Sequence, residues 1–207
     1  MHMDSLLFLL TAALPLLYLV RHWAWAPSAT RAHTRLRQEW FTAIAQHKGT
    51  EVLGVQTLRN SLMSCTMTAT TATLAFMGGL TLTQGHWPSQ WWHHGFPPLG
   101  TDQGLAFWNA FAVLVLLALA FLTSMLAARN YHHAGFVAGM PVESAARRSW
   151  QTLGERSLMR AGLYYSQSLR LMIWAVPLAL FYIHSLLGAA VGVALFVSMW
   201  GWLDVDR

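Results

Sequence analysis

Residues 106–127 read AFWNAFAVLVLLALAFLTSMLA, a run without a single Asp, Glu, Lys or Arg. A helix needs about 20 mainly apolar residues to cross the hydrocarbon core of a bilayer, and this stretch supplies them. Three more runs repeat the pattern. One is SLLFLLTAALPLLYLV at 5–20, extended by a Trp-bearing flank to Trp25; the others cover 61–82 and 171–200. The last is longer than one crossing requires, so a kink or tilt at Pro177 is expected. Composition agrees: apolar residues make up 55% of the 207 and charged ones 10%, whereas soluble domains carry about 25% charge. The expected fold is all-α, a four-transmembrane-helix bundle forming one integral membrane domain over residues 1–207.

The first run has a competing reading as a cleaved signal peptide. Asp4 precedes it and Arg21 follows it, the reverse of a signal peptide's flanks, which favours a retained anchor. The formal charge of +5 is distributed with a bias. One window holds Arg21, Arg31, Arg35, Arg37, Lys48 and Arg59. A second holds Arg129, Arg147, Arg148, Arg156, Arg160 and Arg170, leaving only Arg207 outside. Asp4, Asp102, Asp204 and Asp206 mark the other side. Cytoplasmic flanks collect Lys and Arg, so both windows are expected in the cytoplasm, both termini outside, and the whole in a bacterial inner membrane. Trp87, Trp91, Trp92, Trp200 and Trp202 at one boundary and Trp23 and Trp25 at the other fit an aromatic belt. The basic charge is thus a topology signal, and nucleic acid is not an expected partner.

The two halves carry matching motifs. Arg37-x-x-Trp40 precedes Gln56-Thr57-Leu58-Arg59, and Arg147-x-x-Trp150 precedes Gln167-Ser168-Leu169-Arg170. This suggests two tandem same-orientation repeats, about 1–83 and 104–207, each a span, a cytoplasmic amphipathic basic helix and a second span. In the first copy Leu36, Trp40 and Ile44 share one helix face among charged neighbours. Arg37, Trp40, Arg147 and Trp150 are therefore expected at the membrane interface, with anionic lipid or a cytoplasmic protein as partner.

Polar chemistry concentrates in the second span. At 100° per residue Thr57, Asn60, Ser64, Thr68 and Thr71 form one stripe, within about 80° of one another. The stripe either lines a hydrated path or ligand pocket, or packs with each hydroxyl bonded to its own helix. His184 falls near the middle of the fourth run, where an ionisable group marks a functional site by default, although a hydrogen-bonded structural histidine fits equally. Gly188 and Gly192 below it permit a close helix contact. Arg59 and Arg170 at the inner ends of two spans either snorkel to headgroups or form a cationic ring, or pair with Glu51 or Glu155. Candidate ligand or pore residues are thus Gln56, Arg59, Asn60, Ser64, Thr68, Thr71, Gln167, Arg170 and His184.

The lone Cys65 rules out an internal disulfide and cysteine-based metal sites. Ten histidines keep a haem or a copper or zinc ion open as a minority reading, with His86, His93, His94, His132 and His133 as weak candidates. No spacing is diagnostic, neither CxxCH nor HExxH occurs, and no cofactor is the leading expectation.

The stretch EVLGVQTLRNSLMS at 51–64 resembles the signature of a widespread bacterial and plant family of small membrane proteins, known chiefly as a domain of unknown function. The Arg-x-x-Trp segment before it, and Arg160-Ala-Gly-Leu-Tyr164-Tyr165 leading into Leu171-Met-Ile-Trp174, are similar too. Ala175-Val176-Pro177 stands where relatives often carry Gly-Pro. The resemblance implies a multi-span membrane protein and no particular activity. Three functions compete: a homo-oligomeric channel- or transporter-like conduit, which leads; a non-catalytic accessory subunit or scaffold; and a haem- or metal-dependent membrane enzyme.

Overall fold

The computed structural model describes residues 3–24, 28–83 and 95–203, and among them every regular element is helical. In chain order these are α1 (Met3–Ala24), α2 (Ser28–Gln46), α3 (Glu51–Thr83), α4 (Asp102–Ala138), α5 (Ala145–Ile183) and α6 (Ser185–Ser198). A π-helical turn, Met199–Leu203, ends the described chain. Three helices are long and apolar enough to cross a membrane: α1 over Met3–Arg21, α4 and α5. α3 matches them in length, but its Ser, Thr, Asn and Arg content leaves it less apolar, so the expected second span lacks the composition of the other three.

α4 and α5 are 37 and 39 residues long, about 55–58 Å at 1.5 Å per residue, nearly twice a hydrocarbon core of about 30 Å. They run antiparallel: Asn109 Nδ2 donates to the Leu178 carbonyl (2.9 Å) near one end, and the Ser124 and Ser168 hydroxyls meet at 2.6 Å midway. Small residues let the two backbones close on one another, with Ala120, Ser124, Ala127, Ala134, Ala161 and Ser168 all fully buried. Around this pair the bundle has two storeys. In the upper one α1 lies along α5, with Phe8 against Phe181 and Tyr18 against Trp174 at 5.8 and 5.7 Å between ring centroids. In the lower one α2 takes over the same flank of α5, seating Phe41 on Gly154. Each storey has its own core, one centred on Tyr18, Leu117, Trp174 and Leu178, the other on Phe41, Cys65, Tyr131 and Leu158.

The second basic segment is therefore not a separate amphipathic helix. α5 runs without a break from Ala145 through Arg170 and past Pro177. The first basic segment is separate, because Gly49 (φ +90°) breaks the chain after α2 and Thr50 Oγ1 donates to the carbonyls of Ile44 (2.8 Å) and His47 (2.6 Å). Glu51 then holds two turns together: Oε2 accepts from Gly49 N (2.8 Å) and Oε1 from Val142 N (3.3 Å). Its own peptide N–H and that of Val142 hold its carboxyl below the ordinary 4.5, with Gly49 and Arg147 adding to the effect. A carboxylate with a lowered folded-state value contributes stability that is complete above the unfolded value and fades as pH falls below it. Acid unfolding is expected to begin to draw on this contact below about pH 4.5, and Glu51→Gln is expected to flatten that part of the curve; an unchanged acid limb in the variant would remove the carboxylate from the account.

The expected fourth span, 171–200, is two helices. α5 ends at Ile183, His184 is extended (φ −156°, ψ 120°), and α6 turns back along α5. Gly188 faces Phe181, Gly192 faces Pro177, and the Phe196 ring lies 6.5 Å from that of Trp174. The break comes at His184 and not at Pro177, which stays inside a continuous helix. α6 also runs parallel to α1. Ser185 Oγ donates to Asp4 Oδ1 (2.6 Å) at one end, and the Arg21 guanidinium sits 3.5 Å from the centroid of the Trp200 ring at the other. The described chain consequently starts at one end of the upper storey and finishes at the other, beside Arg21.

Candidate functional site

The polar stripe of α3 faces outward. The helix buries only a narrow seam of small and medium residues, Gly54, Leu58, Cys65, Ala69, Ala72 and Thr83, against its neighbours. Gln56, Arg59, Asn60, Ser64 and Thr71 are exposed and Thr68 is half-buried. Each hydroxyl donates within the helix: Thr57 to Leu53, Ser64 to Asn60, Thr68 to Ser64 and Thr71 to Met67, all between 2.9 and 3.2 Å. Among the described residues the stripe therefore lines no enclosed interior pocket, and Thr57 alone of it borders an open groove, with Arg37, Trp40 and Tyr131. A hydroxyl that donates to its own backbone still presents oxygen lone pairs outward, however.

His184 is likewise displaced from its expected place. It lies at the tip of the α5–α6 hairpin, exposed, next to the Ser185–Asp4 contact, and it meets none of the α3 hydroxyls. Its apparent depth came from counting residues along a helix that in fact reverses there.

The paired motifs do not occupy paired environments. Arg147 is buried, at 2% exposure, where an interfacial position was expected. Its Nη1 donates to the carbonyls of Ala138 (2.5 Å) and Met140 (3.0 Å), and Nε to Gln151 Oε1 (3.3 Å). It thus caps the C-terminal end of α4, where a cation also meets the negative end of the helix dipole. Arg37 is half-buried on α2. Trp40 packs against the lower core, while Trp150 is exposed. Arg59 is exposed, but Arg170 is half-buried, its Nε donating to the Tyr18 hydroxyl (2.8 Å) and its Nη1 to Ser166. Gln167 is half-buried beside it. Neither Arg59 nor Arg170 forms the expected ion pair with Glu51 or Glu155; among the described residues the one salt bridge is Lys48–Glu143 (3.2 Å).

Arg37 and Arg170 come together all the same. α1 ends and α2 begins beside the same stretch of α5, and a cavity of about 160 Å³ opens at that junction, lined by Thr30, His33, Arg37, Gly162, Ser166 and Arg170. The Arg37 guanidinium is laid against Gly162, so a Cβ there would have to push that side-chain end aside. The sequence marks Arg37 and Arg170 separately. It has no signal that joins them, since their meeting depends on α1 and α2 stacking end to end.

His132 and His133 are exposed on α4, and no group of three potential metal ligands gathers among the described residues. His86, His93 and His94 lie outside the described residues.

An all-helical bundle with three helices fit to cross a bilayer defines a membrane protein. The chain belongs to the family described as Protein of unknown function, DUF599, which it matches over residues 4–207. No curated protein and no solved structure matches it.

Proposed function

We propose that the protein is a homo-oligomeric membrane conduit for a small ion or polar solute, with subunits meeting through the outer face of α3. One observation carries this reading. α3 runs the length of the bundle with a single narrow seam covered, and its uncovered face holds Gln56, Asn60, Ser64 and Thr71. Amide side chains are costly against lipid and find partners across helix–helix contacts, and small hydroxylated residues allow such contacts to be close. A second copy offers the same groups in return. The interior of one subunit is filled by its two cores, so a path between subunits, edged by hydroxyl oxygens, suits the reading better than a path through one.

The test uses the protein's own chemistry. Cys65 is its single cysteine and is buried, so Ser64→Cys adds one reactive thiol on the outer face. Oxidation in membranes is expected to give a disulfide-linked dimer, and vesicles containing the wild-type protein are expected to pass small ions or solutes faster than empty ones. Monomer throughout, together with no flux above that of empty vesicles, would end the proposal. A cross-link to a different protein would favour the accessory-subunit reading instead.

A further inference from the structure

We infer that the junction cavity between α1, α2 and α5 is a binding site for a phosphoryl oxyanion, held by Arg37 and Arg170. The lining holds the two guanidinium groups of Arg37 and Arg170 with His33, Thr30 and Ser166, and none of the described residues lining it is acidic. Arg170 arrives already oriented by Tyr18 and Ser166. Arg37 is different: half-buried, laid over Gly162, it makes no hydrogen bond or ion pair to any described residue. A guanidinium carries five N–H donors in a planar fork that matches the oxygens of phosphate or carboxylate. Partial burial without an acceptor is unfavourable for such a group, and an oxyanion in the cavity relieves it.

Thr30, His33 and Arg37 recur at helical spacing, so the cavity runs along one side of α2, and two further features select the ligand. At about 160 Å³ the space is well below the ~300–1,000 Å³ of sites for drug-sized molecules, which suits a single phosphoryl group. Its level is that of Tyr18, one turn before the end of the apolar segment Met3–Arg21. A phosphoryl group reaches that level either as part of a lipid headgroup or as a free ion.

The experiment titrates purified protein in a sugar-based detergent, which brings no phosphate of its own, and follows the thermal midpoint and native mass. One arm adds inorganic phosphate against a chloride control of equal ionic strength, and the other adds phosphatidic acid. Protection by both identifies a site open to free phosphate; protection by the lipid alone identifies a headgroup site. Arg37→Gln is expected to raise the half-saturating concentration at least tenfold. Gly162→Ala is expected to do the same with every charge still present, by pushing the guanidinium aside. Arg35→Gln, on the exposed side of α2, is expected to bind as wild type. Protection of the wild type by neither probe overturns the site. So does unchanged affinity in Arg37→Gln, or an equal loss in Arg35→Gln, which would indicate attraction by net charge alone. None of these readouts depends on subunit contact through α3 or on flux.

Discussion

Arg147→Ala is expected to destabilise the protein by about 3–5 kcal/mol, while Arg148→Ala should change stability by no more than about 0.5 kcal/mol. The two side chains are adjacent in sequence and share a charge, and only their surroundings differ. Arg148 is exposed. Arg147 is enclosed between α4, α5 and the ring of Phe41, and donates to two carbonyls at the point where α4 runs out of its own donors. Removing it strands those carbonyls in a buried place. Arg147→Lys keeps the charge but cannot reach Ala138, Met140 and Gln151 as one planar group, so partial loss is expected. Denaturant unfolding of purified protein in micelles measures all three. Similar shifts at 147 and 148 would show that the cap contributes nothing.

The second large effect concerns the hairpin. With Lys48→Cys and Gly201→Cys made separately, an impermeant thiol reagent is expected to label both from the same face of the membrane. A straight last span predicts opposite faces, and that result would refute the reversal at His184. Gly188 is the point of leverage, since a Cβ there would come 2.5 Å from Phe181 Cα and 2.6 Å from its N. Backbone does not yield as a side chain end would. Gly188→Leu is thus expected to cost more than the ~1–3 kcal/mol typical of overpacking and to free α6 from α5, altering the labelling of residue 201.

How far the residues themselves disclose this structure can be judged from four places. The run 106–127 is legible because apolar length is a local quantity, and it forms the upper part of α4. The run 171–200 misleads because hydropathy reports composition and is blind to direction. Two apolar helices folded on each other read as one long one. Its excess length was the only hint, and tilt at Pro177 explained it equally well. The close-contact reading of Gly188 and Gly192 survives, with Phe181 and Pro177 as the neighbours. On α3 the angular stripe is real, yet helical periodicity tells which residues share a face and not whether that face looks in or out. The neighbour decides that, and α4 chose the Gly54–Ala72 side. Arg147 shows the same limit: an arginine near a predicted boundary reads as a snorkelling anchor until a helix end is found beside it.

The single seam of α3 also governs how the molecule comes apart. α5 is gripped by α1, α2, α4 and α6 together, so no part of it leaves without dismantling both cores. α3 has one substantial neighbour, α4, and Gly49 breaks the chain before it. Separating it would expose Gly54, Leu58, Cys65, Ala69, Ala72 and Thr83. The bundle is in this sense a frame with one panel laid flat against a single helix of it. A neighbour seated against the outside of that panel would oppose its separation from α4 and keep Cys65 covered.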